Sequence, residues 1–204
     1  KAIFFSLILS LGWLFFYRPI VNSIRYEFQA SCLAPPFIFC AFYCLKKNKI
    51  LIFFIMMIFI LGLKEHLGVV WIGFGVWYVL QDPKKKLGYI LVIGGVIAIY
   101  LLIFEVKPFF RESSIGYNDV NLINPFSDLV LKLRYVIGYL LWPLLFIPLF
   151  FWRNGIMAGP AIGINLVTGQ STMYSSHYHY DDVASTLLFI ATIISLGKID
   201  FKKI

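Results

Sequence analysis

Ile50–Leu80 reads ILIFFIMMIFILGLKEHLGVVWIGFGVWYVL, two uncharged runs of fourteen residues around Lys64-Glu65-His66. A Lys, a Glu and a His in succession are costly beside lipid, so the triplet belongs at a water boundary, in an aqueous cavity or against partners. Each run, as a helix, rises about 21 Å, short of the roughly 30 Å hydrocarbon core. Two arrangements compete. One is a single tilted helix with the triplet at mid-membrane. The other is a hairpin of two short helices meeting at the triplet. Basic clusters flank both ends, Lys46-Lys47-Asn48-Lys49 before and Lys84-Lys85-Lys86 after. Two basic flanks share a side by the positive-inside rule, which favours the hairpin.

Working outward, the chain is 60% hydrophobic and 14% charged. That is more apolar surface than a soluble core of this length needs, so the reading is an all-α, polytopic transmembrane bundle of about seven or eight helices, some short or broken. Residues 1–204 form one transmembrane domain, expected to belong to a longer chain with more sequence before Lys1. Composition offers nothing for nucleic acid, and there is no Walker loop or GxGxxG. The three cysteines, Cys32, Cys40 and Cys44, show no metal-like or disulfide pattern and read as packing residues.

Ala2–Phe16 reads as a span, and a second opens at Ala34-Pro35-Pro36, where proline suits the first helical turn. Leu87–Phe104 is a further span. Asp128–Val136 reads as an interfacial helix: Leu129, Val130, Leu133 and Val136 on one face, Asp128 and Lys132 on the other. Ile137–Trp152 should cross back, kinked at Pro143 and Pro148. Gly155, Gly159 and Gly163 recur every four residues, a spacing that admits a neighbouring helix, although Pro160 interrupts the segment. Val183–Leu196 is the last apolar run.

Alternating these segments sorts the charges. One side, taken as inner, holds eleven of the eighteen Lys and Arg with two acids, Asp82 and Asp200. The other holds seven basic residues, eight of the ten acids and all three histidines. Acids are less restricted on the outside, which accounts for part of that enrichment but not for the histidines.

Glu65 and His66 have the chemistry of a general base with its orienting partner, or of metal ligands; a polar hairpin tip explains them equally well. His177, His179 and Asp181 fall on one side of an extended stretch and make a candidate site for a divalent metal such as Mg or Mn. The competing reading has Asp181 and Asp182 as helix N-caps and the His/Tyr pairs as an interfacial belt. Arg111 and Lys107 suit a phosphate at the membrane surface or lipid headgroups.

Tyr26-Glu27-Phe28, Leu33-Ala34-Pro35-Pro36-Phe37, Lys64-Glu65-x-Leu67-Gly68 and Ser176-His177-Tyr178 resemble domain-of-unknown-function family 2079. That family is similar to GT-C glycosyltransferases, which move sugars from polyprenyl-phosphate carriers on the outer face of prokaryotic plasma membranes. The resemblance implies a GT-C-like fold and an outer cavity, open to the bilayer beneath the 105–128 loop. Glu65 and His66 would be its catalytic groups. Glu27, Arg111, His177, His179 and Tyr180 would bind substrate, with His177, His179 and Asp181 as the metal set. Two departures stand out. Gln29-Ala30-Ser31 replaces a His-Pro-Glu-like triplet, and the acidic first loop of GT-C enzymes would precede Lys1. They favour an alternative, a silent accessory or scaffold subunit with protein partners in a membrane assembly.

Overall fold

The computed structural model describes residues 8, 10–15, 17–25, 30–106, 109, 125–169, 171–175 and 179–198, the side chains of residues 23–25, 65 and 179 excepted. All regular structure among these is helical. The chain runs through α1 (Arg18–Arg25), α2 (Ala34–Lys46), α3 (Ile50–Leu63), α4 (Val69–Gln81), α5 (Lys86–Leu101), α6 (Leu129–Leu133), α7 (Ile147–Phe150), α8 (Trp152–Gly155), α9 (Gly159–Val167) and α10 (Asp182–Leu196). Residues 10–15 are also helical.

The hairpin reading of 50–80 holds. Helix α3 stops where Lys64 turns extended, at φ −166° and ψ 143°, and Glu65–Gly68 make one 3₁₀ turn into α4. The arms meet through Trp71, whose Nε1 donates to the Met57 carbonyl at 3.1 Å, and through Phe53 against Phe74. Helix α2 starts on its two prolines, and Cys32, Cys40 and Cys44 are free thiols.

Helix α10 is the centre. Twelve of its residues are buried, from Asp182 to Ser195. Trp13 stacks on its Phe189 at 5.2 Å between centroids, and Phe39 of α2 meets the same two rings edge-on. Helix α5 is peripheral. With its continuation to Val106 it is, among the described residues, the one helix long and apolar enough to cross a membrane, and only 17% of that apolar window is buried. The apolar helices at Ala30–Lys46, Ile50–Leu63, His66–Gln81 and Asp182–Leu196 are shorter.

The sequence reading needs correction in several places. Of the three spaced glycines only Gly155 is closely approached, by the Pro148 carbonyl of α7, while a Cβ on Gly163 would meet nothing within 4 Å; a second contact lies elsewhere, where a Cβ on Gly75 would stand 2.7 Å from the Gly88 carbonyl, so α4 and α5 touch backbone to backbone. Pro160 starts α9 rather than interrupting it, because the first turn needs no proline N–H. The span expected over 137–152 is broken, not kinked. A π-helix over Arg134–Leu141 gives way to a 3₁₀ turn at Pro143, and Leu145 and Phe146 adopt positive φ, 52° and 56°. At Asp128–Val136, by contrast, the two faces divide as the interfacial reading has them, with the apolar face outward. Lys132 is buried, its ammonium donating to the Pro125 carbonyl and Ser127 Oγ, both at 3.3 Å, while Leu129, Val130 and Leu133 are exposed. In lipid the apolar face costs nothing to expose, and the cation needs the protein.

Two polar ends, about 20 Å apart along α10, bound the apolar core. At the basic end, Asn154 donates to Ser195 Oγ at 2.9 Å and accepts from Trp77 Nε1 and Gln81 Nε2 at 3.4 Å. The opposite end collects Tyr17, the 64–68 turn, Tyr135, Asn165 and the 179–182 turn, the division that charge alternation implied. A half-open apolar groove of about 450 Å³ runs between Ile8, Trp13 and Tyr17, the 143–147 segment, and Phe189, Thr192 and Leu196 of α10.

Candidate functional site

The site forms where the Lys64-Glu65-His66 turn meets the turn that starts α10. Lys64 is placed by its extended backbone at the close of α3. Its ammonium lies 5.3 Å above the Tyr180 ring, a cation–π contact, and the His66 ring stands 6.5 Å from the same ring, tilted by 48°. Two segments far apart in sequence therefore converge, through Tyr180.

Behind Tyr180 lie two buried carboxyls, each 1% exposed. Asp182 opens α10; one of its oxygens accepts from the Val183 N–H at 2.7 Å, and its field is tempered by Lys64. Asp181 ends the His179–Asp181 3₁₀ turn, before the apolar helix begins. It occupies the N-cap position without making a capping bond, which corrects that reading. Neither of its oxygens has a hydrogen-bond partner among the described residues. The Tyr135 hydroxyl is near enough to act on its charge. Burial pushes the Asp181 carboxyl up to about 7, and the Tyr135 hydroxyl opposes part of that rise. Such a group changes protonation near neutral pH, the range a general base needs.

Of the expected site residues, the structure brings His66, Tyr180 and Asp181 to one place. Glu65 and His179 have their backbones in the two turns, but their side chains lie outside the described residues, as do Glu27, Arg111 and His177 altogether. The metal set of His177, His179 and Asp181 thus falls largely outside the described residues, among which no three His, Cys, Asp or Glu side chains gather. The groove expected beneath the 105–128 loop falls largely against residues outside the description. The groove that is present lies along α10 and begins at Tyr17.

Sequence reasoning missed Tyr135 and Asn165. Asn165 carried a signal, being the one polar side chain in GPAIGINLV, where an amide needs partners. Tyr135 carried none, in a chain with twelve tyrosines.

An apolar helical array with two polar ends is the arrangement that a helical membrane protein needs. The chain belongs to the family described as "Predicted membrane protein (DUF2079)", whose model matches residues 4–204. No curated protein and no solved structure matches it.

Proposed function

We propose that this chain is the membrane-embedded body of a GT-C-like glycosyltransferase, in a prokaryotic plasma membrane, that uses a polyprenyl-phosphate-linked sugar at the Lys64–Asp181 end. The observation that carries this reading is a buried carboxyl without a hydrogen-bond partner among the described residues, held near neutral pKa, beside a turn bearing a Lys and a His. The Asp181 carboxylate takes the proton of an acceptor hydroxyl. The hydroxyl oxygen bonds to the anomeric carbon, the bond from that carbon to the phosphate oxygen breaks, and its electron pair leaves with the phosphate. Lys64 offsets the charge that gathers there, and His66 flanks it. No step passes through a metal. The groove along α10 gives the lipid chain a place beside the bundle.

The test is transfer in liposomes. Full-length protein with a polyprenyl-phosphate sugar and a hydroxyl acceptor should release the lipid phosphate, and Asp181→Asn should lose the reaction at least a hundredfold, the low end for a general base. Absence of transfer from every donor tried, with a stoichiometric protein partner co-purifying, would instead favour the accessory-subunit reading. The outward apolar face of α5 and Gln29-Ala30-Ser31 motivate that second reading.

A further inference from the structure

Arg18 and Arg134 meet on one side chain. The guanidinium carbon of Arg18, the first residue of α1, lies 5.0 Å from the centre of the Tyr139 ring, and that of Arg134 lies 5.6 Å from the same centre. Two like charges on one ring repel. Neither is offset by an ion pair, since among the described residues the one such pair is Lys85–Asp82, at the basic end. A third cation stands close: Lys132 is buried, with its ammonium 5.1 Å over the Tyr174 ring. The neighbouring acid, Asp128, is held by the Tyr174 hydroxyl, which donates to it at 2.7 Å. Arg134, Tyr139 and Tyr174 line a small pocket of about 140 Å³ with Leu131, Ser171 and Ser175. Lys and Arg are scarce at this end by the positive-inside rule, yet three cations against one acid leave the pocket positive.

We propose that this pocket binds the phosphodiester head of an anionic phospholipid from the surrounding bilayer. The inference goes beyond the transferase reading: the site shares no residue with Lys64, His66 and Asp181, and the lipid it takes is not consumed. Arginine suits the phosphate, because its planar fork gives paired hydrogen bonds to two oxygens. Both arginines are exposed, so each guanidinium can reach a bound phosphate while its stem stays on Tyr139. Ser175 gives its proton to the Thr172 carbonyl at 3.2 Å, which leaves its oxygen to accept from a glycerol hydroxyl. The hydrocarbon has a place as well: Val130, Leu131 and Leu133 of α6 are exposed beside the pocket. That apolar border favours a lipid over a free phosphate. The cations favour an anionic head over a zwitterionic one, whose ammonium would meet three positive charges.

The experiment is native mass spectrometry of the purified full chain, released from neutral-detergent micelles. The micelles carry phosphatidylglycerol, phosphatidylethanolamine with the same chains, or water-soluble glycerol phosphate. Phosphatidylglycerol should be retained about tenfold more tightly than phosphatidylethanolamine. Arg18→Gln and Arg134→Gln should each weaken its retention about tenfold, the worth of a hydrogen bond to a charged group. Lys85→Gln removes the same charge at the basic end and should change nothing. An equal loss from Lys85→Gln would reduce the effect to net charge and overturn the proposal. So would equal retention of the two lipids. Binding of glycerol phosphate as tight as that of the lipid would overturn it too, by making the pocket one for a free phosphate ester. Should a glutamine variant fail to fold, Ser171→Leu, on the exposed rim of the pocket, decides by the same loss. Retention is read without any sugar transfer, so the two readings fail separately.

Discussion

The Lys64 ammonium lies 5.3 Å over the ring of Tyr180, joining the tip of the α3–α4 hairpin to the turn that starts α10. The contact is partly withdrawn from water, where cation–π attraction reaches about 1–2 kcal/mol. Lys64→Met and Tyr180→Leu should each lower stability, and the double variant should lose about 1 kcal/mol less than the sum. A mutant cycle on reversible unfolding in detergent measures this; strict additivity would mean the two turns are not coupled.

Stability should fall as pH rises from about 4 to 7. Asp181 titrates near 7 when folded, against an ordinary value of 3.8, so across that window the folded protein holds a proton that the unfolded chain has released. The loss is on the order of 4 kcal/mol and is complete above the folded value. Asp181→Asn removes the penalty. Its melting temperature should exceed that of the unaltered protein at pH 8 and converge with it at pH 4. Parallel melting curves for the two proteins would discard the burial argument.

At the basic end, Asn154→Leu leaves the Trp77 and Gln81 donors without their acceptor and Ser195 without its donor. Gln81 is exposed and can turn to water, but the buried Trp77 and Ser195 groups stranded in this way cost about 1–3 kcal/mol each, so a loss of roughly 3 kcal/mol is expected by chemical unfolding. Ser195 still donates to the Ala191 carbonyl at 2.7 Å, so α10 itself should keep its helicity by circular dichroism.

Gly75→Ala and Gly163→Ala separate close packing from mere repetition. A Cβ at Gly75 meets the Gly88 carbonyl and Val92 at 2.7 Å, and the two backbones would have to part, at about 1–3 kcal/mol. At Gly163 a Cβ meets nothing within 4 Å, and alanine should stabilise α9 by up to about 1 kcal/mol. Equal effects of the two changes on melting would contradict the α4–α5 contact.

Membrane sidedness is tested in a cysteine-free background. Cysteine at Ser171, at the Lys64–Asp181 end, and at Lys85, at the basic end, should react with an impermeant maleimide from opposite faces. Labelling of both from one face would reverse the hairpin of α3 and α4.

The hairpin, the two polar ends and the meeting of Lys64-Glu65-His66 with residue 180 were legible because each rests on charge interrupting apolar sequence. Charge is expensive in lipid, so its position constrains the path of the chain. What was not legible depends on direction. The pattern at Asp128–Val136 does not say which face meets protein, and only packing buries Lys132. Glycine spacing marked Gly155, Gly159 and Gly163, but close approach depends on which helix lies opposite: it holds at Gly155, against Pro148, fails at Gly163, and occurs again at Gly75 against Gly88. Asp181 looked like a cap because aspartate often caps; its turn is held by Asn165, in another helix, whose amide donates to the Tyr180 carbonyl at 3.2 Å.

The burial of α10 carries a consequence for how the protein is made. It is the most enclosed of the described helices, yet α1 to α9 leave the ribosome before it. Those helices must hold a vacancy in the bilayer until their centre arrives. Asp181 and Asp182 enter at the head of α10, so the carboxyls reach their setting only after α1 to α9 have been made. A nascent chain stopped before residue 181 would lack both carboxyls and the helix that the others pack around, leaving its buried faces open to lipid.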